Sequence, residues 1–421
     1  MLNTLKIWTH ELDIGMFVSS LDRPWLDTPF LTQGFQIESQ AQIDRLREYC
    51  EFVMIDSRRS ATGAAAREVA GNTKRAARTE RSVNGRRTRV PVERIFKGRP
   101  IKPYQDDSDW EDEHPRAKAA LETLVEDLND IFEQVTDGGK INVIKLKKSI
   151  DPVVDSISRN PDAAVWVARL KQHDKYTYQH SLGAAVWSVS LGRQLGLPKH
   201  DLRSLAMGCM LMDVGKLRVD PALLQAERHL TMEEAAQMAG HVSYGLEMIQ
   251  ESGVMNQDVI DMVAHHHERY DGSGYPNGLE QDAIPTFARI AAIVDTYDAI
   301  TTKRSYAAAV SPSDAIKLLY KSRDEDFQAE LVEAFIQAIG IYPAGTLVEL
   351  SSGEVGVVVA EYRARRLRPK VMVLLDANKD TLVESRIVDL HEEAADDPQS
   401  LTIKKSLEPE AYGIDLSAIS F

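Results

Sequence analysis

Two cysteines, Cys50 and Cys209, are all that 421 residues contain, which excludes a disulfide framework. A reducing cytoplasm is the expected location. Long apolar runs are lacking too. The longest, around Leu205–Met212, falls far short of the ~18 residues needed to span a bilayer, so no membrane segment is expected. The first residues carry Lys6, Glu11 and Asp13 and show no apolar signal-peptide core. Positive charge is in deficit, with a net charge of −14. The deficit is uneven: between Arg58 and Lys102, 14 Lys/Arg stand against three Glu, which leaves about −25 on the remainder. So acidic a body argues against direct nucleic-acid binding.

What is present reads as a multidomain globular protein. Apolar residues make up 43% and charged residues 27%, and the length calls for two to four cores. Residues 1–57 pattern as a small N-terminal α/β domain, with a turn into a strand at Leu12–Val18, a strand at Phe52–Ile55 and a short helix within Ile37–Cys50. Trp25 and Phe30 sit in a Pro-punctuated loop and are expected to serve its core. Residues 58–115 read as a flexible linker, first basic and then acidic (Asp106, Asp107, Asp109, Glu111, Asp112, Glu113).

From 116 to 340 the pattern is helical. Leu121, Leu124, Val125, Leu128, Ile131, Phe132 and Val135 make one stripe. Asp137-Gly138-Gly139 closes that helix before a second one with Ile141, Ile144, Leu146 and Ile150. Further boundaries fall at Asn160-Pro161, Leu197-Pro198, Asp220-Pro221, Ile284-Pro285 and Ser311-Pro312, and Thr231-Met232-Glu233-Glu234 fits a capping box. Short strands with hairpin signals over 341–391 predict a small C-terminal β-barrel-like domain, and 392–421 reads as an acidic tail.

Chemistry concentrates in the helical part, where eight of the eleven histidines lie between His173 and His267. His265-His266-His267 runs into Glu268-Arg269-Tyr270-Asp271-Gly272-Ser273-Gly274-Tyr275-Pro276, a loop that two glycines allow to turn and a proline stiffens. Adjacent helical residues point ~100° apart, so two of the three imidazoles can aim at one centre and other ligands must come from elsewhere. His180, Asp213, His241 and Asp295 are candidates, with Asp298 one turn beyond Asp295. Each histidine alone could be an ordinary buried residue. Together they form a mixed imidazole–carboxylate set suited to Fe or Mn, and less distinctively to Zn.

At this point the sequence resembles a known family. His180, Asp213-x-Gly215-Lys216, His241-Val242-Ser243-Tyr244-Gly245, His266-His267-Glu268-Arg269, Gly274-Tyr275-Pro276 and Ile293-Val294-Asp295-Thr296-Tyr297-Asp298-Ala299 follow the order of HD-GYP domains, over roughly 160–340. These are all-α members of the HD phosphohydrolase superfamily that hydrolyse cyclic di-GMP in bacterial signalling. The first 57 residues, above all Leu21–Phe30, look like the uncharacterised domain that often precedes them.

The resemblance implies two divalent metal ions, Fe or Mn. One would be held by His180, Asp213 and Asp295, the other by Asp213, His241, His266 and His267. Asp213 and Lys216 would be catalytic. Lys216, Gly274, Tyr275, Pro276 and Arg304 would bind the nucleotide. The family's His-Asp doublet is here Met212-Asp213, and a thioether is a poor ligand for a hard cation. Lys175 and Tyr176 stand where trinuclear members carry a Glu, and Arg304-Ser305-Tyr306-Ala307-Ala308 lacks the usual basic residues. Two readings therefore stand: a phosphodiesterase with a weakened first metal, or a degenerate domain. The latter would sense cyclic di-GMP or dock a partner such as a diguanylate cyclase or transcription regulator. A homodimer is a further expectation.

Overall fold

The computed structural model of the chain describes residues 4–22, 35–37, 39–56, 60, 90–170, 176–226, 228, 230–302, 309–361, 367–392, 400–414 and 416. Trp25, Phe30, Lys175 and 303–308, including Arg304, lie outside the described residues, as does most of 58–89. The chain divides into two units, Met1–Thr88 with Ala364–Arg366, and Arg89–Arg363 with Leu367–Phe421. No helix among the described residues is long and apolar enough to cross a membrane.

The first unit is a four-stranded antiparallel sheet with one helix. Strands β1 (Thr4–Trp8), β2 (Phe17–Leu21), β3 (Phe35–Gln36) and β4 (Phe52–Asp56) run in the order β1-β4-β2-β3. Helix α1 (Gln40–Tyr49) buries Ile43 and Leu46, which pack with Ile7, Val18, Val53 and Ile55. Three turns of helix cover one face of the small sheet, and alternate strand residues supply the rest of the core.

In the second unit, residues 90–109, expected as the end of a linker, pack against the helices. Lys102 N–H donates to Gly196 O at 2.9 Å and Tyr104 Oη to Leu197 O at 2.9 Å, while the Arg193 guanidinium reaches Asp106 at 2.6 Å. Carbonyls and a guanidinium on the body thus order a stretch whose composition alone reads as solvated. Helix α2 (Trp110–Thr136) begins six residues before the expected boundary, with acidic Glu111, Asp112 and Glu113 in its first turn, where the helix dipole favours them.

Helices α3 (Val143–Arg159), α4 (Pro161–Leu170), α5 (Tyr176–Leu195), α6 (Lys199–Leu211), α7 (Met232–Ala239), α8 (His241–Glu251), α9 (Gln257–His265), α10 (Thr286–Thr301), α11 (Pro312–Lys321) and α12 (Ala329–Ile339) complete the helical body. Helix α5 lies at its centre, packed on α6, α10 and α12, with Trp166, Trp187, Tyr297 and Phe335 wholly buried around it. The capping box is present: Glu234 N–H donates to Thr231 Oγ1, and Thr231 N–H to the Glu234 carboxylate at 2.9 Å.

The C-terminal strands correct one expectation. Strands β5 (Leu347–Leu350), β6 (Val355–Ala360), β7 (Lys370–Leu375), β8 (Thr381–Asp389) and β9 (Ile403–Ser406) form an open antiparallel sheet in the order β8-β7-β6-β5-β9, not a barrel. The edge strands β8 and β9 lie at opposite ends. Along β6, Val355, Val357 and Val359 enter the helical core, while Val358 joins Val348, Val371 and Val373 on the other face. The helical body covers one face, so both faces are apolar without closure. Strand β9 comes from the segment expected to be only a tail, and its backbone pairs with β5.

Candidate metal centre

Five elements converge on one buried point. His180 lies in α5, Asp213 follows α6, His241 opens α8, His266 and His267 follow α9, and Asp295 sits midway along α10. Ligating atoms of Asp213, His241, His266 and His267 lie within 4.8 Å of one another, as do those of His180, Asp213 and Asp295. Asp213 belongs to both groups. Its position depends on Gly215, in the 3-10 turn Val214–Arg218: a Cβ there would lie 1.9 Å from His241 O and 2.4 Å from Gly245 N. Only glycine lets the turn press onto the first turn of α8 and carry Asp213 toward His241.

Hydrogen bonds define which nitrogens face inward. His241 Nδ1–H donates to Met238 O at 2.8 Å, and His266 Nδ1–H lies 3.1 Å from both Met262 O and Val263 O. Both rings therefore turn Nε2 toward the centre, the two atoms 3.3 Å apart. Burial pushes His241 down to about 4, and burial with His266 alongside holds His267 well below the usual range, so these rings stay neutral.

Asp213 is 4% exposed. Burial opposes its charge, but the Lys216 ammonium, with protonated His180 nearby, keeps its carboxyl well below the ordinary range; Lys216 Nζ donates to Oδ2 at 2.7 Å. Oδ1 faces His241 Nε2 at 3.4 Å and His266 Nε2 at 3.8 Å, and has no hydrogen-bond partner among the described residues. A buried anionic oxygen beside two inward lone pairs is costly unless a cation joins them. The residues fit a divalent metal.

His180 is arranged differently. Nδ1–H donates to Asp298 Oδ2 and Nε2–H to Asp295 Oδ1, both at 2.8 Å. Burial alone would lower its pKa, yet these two carboxylates hold it up at about 10. Trp187 Nε1–H donates to the other Asp298 oxygen at 2.9 Å, so Asp298 orients the ring from behind. With Nε2 deprotonated, His180, Asp213 and Asp295 would be a second ligand set.

The glycine-rich loop lies beside the centre. Tyr275 stacks on His267, ring centroids 4.6 Å apart, and is 37% exposed, so its outer face is open. Gly272 has φ +82°, and a Cβ on Gly274 would lie 2.3 Å from Arg269 N, as the expected tight loop requires. Pro276 is exposed beside Tyr275. Glu268, 1% exposed, accepts the backbone N–H groups of Asn277 at 2.8 Å and Leu279 at 3.0 Å. Sequence reading singled out neither Glu268 nor Trp187 as functional, because nothing in spacing tells a loop-pinning carboxylate from a surface one. Met212 is fully buried in the apolar core and brings no hard donor.

Comparison with known proteins agrees with this architecture. The HD domain family matches residues 164–331, a domain of unknown function (DUF3391) matches 4–146, and a KOW domain associated with HD domains matches 347–414. A cyclic di-GMP phosphodiesterase of Pseudomonas aeruginosa is 32% identical over 387 residues, covering 91% of this chain and 88% of that protein. The cyclic di-GMP phosphodiesterase response regulator RpfG of Xanthomonas campestris is 37% identical over 150 residues, 35% of this chain and 39% of that one. A 3'3'-cGAMP-specific phosphodiesterase of Vibrio cholerae is 32% identical over 169 residues, 40% and 32% of the two chains. With a relative matched along nearly its whole length, the chain belongs to the HD-GYP family of HD-domain proteins.

Proposed function

We propose that the chain is a metal-dependent phosphodiesterase that hydrolyses cyclic di-GMP in the cytoplasm of a bacterium. The observation that carries this reading is Asp213, buried, shared by two ligand groups and left with an unpaired Oδ1. Its substrate assignment rests on the relative that matches 91% of the chain, which is named for that activity.

His180, Asp213 and Asp295 would hold one divalent ion, and Asp213, His241, His266 and His267 the other. Imidazole with carboxylate favours Fe or Mn over softer ions. Such ions, when bound, polarise phosphoryl oxygens and make water a nucleophile at neutral pH. The remaining work falls to side chains. Lys216, fixed by Asp213, supplies positive charge for a phosphate as charge builds on it. Tyr275, backed by His267, offers a ring for a base to stack on, and Glu268 holds the loop that carries it. Arg304 is proposed as a further nucleotide contact from its sequence position alone.

A second reading is favoured by Met212. Without an imidazole there, the His180 group keeps three protein ligands, and a weakly loaded centre would bind the nucleotide without cleaving it. The chain would then act as a sensor, or as a docking platform for a diguanylate cyclase or a transcription regulator, alone or as a homodimer. Metal content and cyclic di-GMP turnover, measured on one sample of full-length protein, separate the readings. Bound metal with linear product supports the enzyme. Nucleotide binding without turnover supports the sensor, and neither metal nor nucleotide binding removes both.

A further inference from the structure

One basic side chain touches three of the helices that lead to the proposed ligands. Arg99 lies in the strap that crosses the helical body before α2. Its Nη1 bonds the carboxylate of Asp201, and its Nη2 reaches both oxygens of Asp258 at 2.8 and 2.9 Å. Its Cζ stands 4.5 Å from the centroid of the Phe287 ring. Asp201 is in α6, which ends at Leu211 just before Met212-Asp213. Asp258 is in the first turn of α9, whose other end runs into His266 and His267. Phe287 is in the first turn of α10, which carries Asp295.

The strap is anchored on both sides of this residue. Phe96 meets Phe287 edge-on at 6.3 Å, and Thr286 Oγ1 donates to Ile95 O at 3.5 Å. Beyond it, Lys102 N–H and Tyr104 Oη hold Gly196 O and Leu197 O. The planar guanidinium, with donors on both sides and an aromatic face beneath, can serve two carboxylates and one ring at once. An ammonium has donors for two carboxylates but no planar face to lay on the ring and no fork to grip both oxygens of Asp258. Helix α9 is nine residues, about 13 Å long, and too short to bend, so a shift of Asp258 moves His266 and His267 with it.

We propose that Arg99 is a positioning residue for the metal centre. It sets the mutual placement of α6, α9 and α10, and so keeps Asp213 within ligating distance of His266 and His267 on one side and of Asp295 on the other. The inference rests on the metal centre argued above. It gives the strap, which falls inside the matched domain of unknown function, a role in the neighbouring helical domain.

A purely structural reading also exists. Asp201 is fully buried, its Oδ2 has no hydrogen-bond partner among the described residues, and Arg99 could serve only to neutralise it. Full-length protein with Arg99→Met, with Arg99→Met and Asp201→Asn together, and with Arg99→Lys separates the two. Manganese(II) affinity is measured by calorimetry and the melting temperature on metal-free protein. Arg99→Met alone should melt lower, because a buried carboxylate loses its guanidinium partner and keeps only the exposed His200 ring at 3.2 Å. The double variant removes that charge and should melt near wild type, yet bind manganese(II) roughly tenfold more weakly, the scale of lost supporting contacts at metal sites. Arg99→Lys should recover part of the affinity. A double variant that binds manganese(II) as tightly as wild type overturns the positioning role and leaves the metal centre standing. Wild type that binds neither manganese(II) nor iron(II) removes the centre itself, and the proposal with it.

Discussion

His241 and His266 point their Nε2 atoms at each other across 3.3 Å, while each gives its Nδ1 proton to a main-chain carbonyl. Two lone pairs at that separation repel unless something positive sits between or beside them. His266→Ala should therefore reduce bound iron or manganese, with hydrolysis lost in step. Elemental analysis of the purified variant checks this. Metal content equal to wild type would take His266 out of the ligand set.

Met212 closes α6 immediately before Asp213 and is wholly buried. Met212→His should raise the metal-to-protein ratio toward two and speed turnover roughly tenfold or more, since ~1.4 kcal/mol of barrier is a factor of ten. The metal-free variant should melt below wild type, because an imidazole has been put where a thioether packed, and metal should reverse the loss. Two metals and equal rates in both proteins would show that the missing imidazole is compensated.

Metal uptake at His180 should release a proton near neutral pH. Between Asp295 and Asp298 the free ring keeps its proton to about pH 10, and a ligating Nε2 must lose it. Calorimetry in buffers of different ionisation enthalpy counts that proton, and a count of zero sinks the assignment. Metal-free protein carries the matching stability term. His180 binds its proton more tightly folded than unfolded, so its contribution is full below its ordinary pKa of about 6.5 and fades as pH rises toward 10. His241 is opposite in sign. Depressed to about 4, it costs stability as pH falls from about 6.5 to 4, because the unfolded chain takes up the proton first.

Glu268 accepts two backbone N–H groups of the loop that carries Tyr275 and Pro276. Glu268→Ala orphans both donors, at about 1–3 kcal/mol each where they stay buried, and should loosen the loop. Cyclic di-GMP affinity should fall roughly tenfold, with metal content unchanged. A variant that loses metal and nucleotide together would show that Glu268 supports the centre rather than the loop.

Helices, strands and candidate ligands were legible because they rest on local pattern. The Leu121–Val135 stripe has the period of a helix, and three histidines beside a Gly-Tyr-Pro loop are rare enough to draw the eye. The openness of the C-terminal sheet was not legible. Val355, Val357 and Val359 are apolar whether a strand closes a barrel or rests on helices, and only the packing partner tells the two apart. The same limit hid the strap: Arg99, Lys102 and Asp106 have the composition of a solvated linker, and they are ordered by Asp201, Asp258, Gly196 and Arg193, all distant in sequence.

By itself, the sequence determined which side chains are available: neutral imidazoles, carboxylates, a lysine three residues after Asp213, and a thioether where a histidine was expected. Tertiary structure decided how they are used. It made Asp213 common to two groups, turned Nε2 of His241 and His266 inward by taking their Nδ1 protons, and set Asp298 behind His180 as an orienting partner rather than a ligand. Those outcomes depend on angles and distances between helices far apart in the chain, which local propensity does not encode and close packing does.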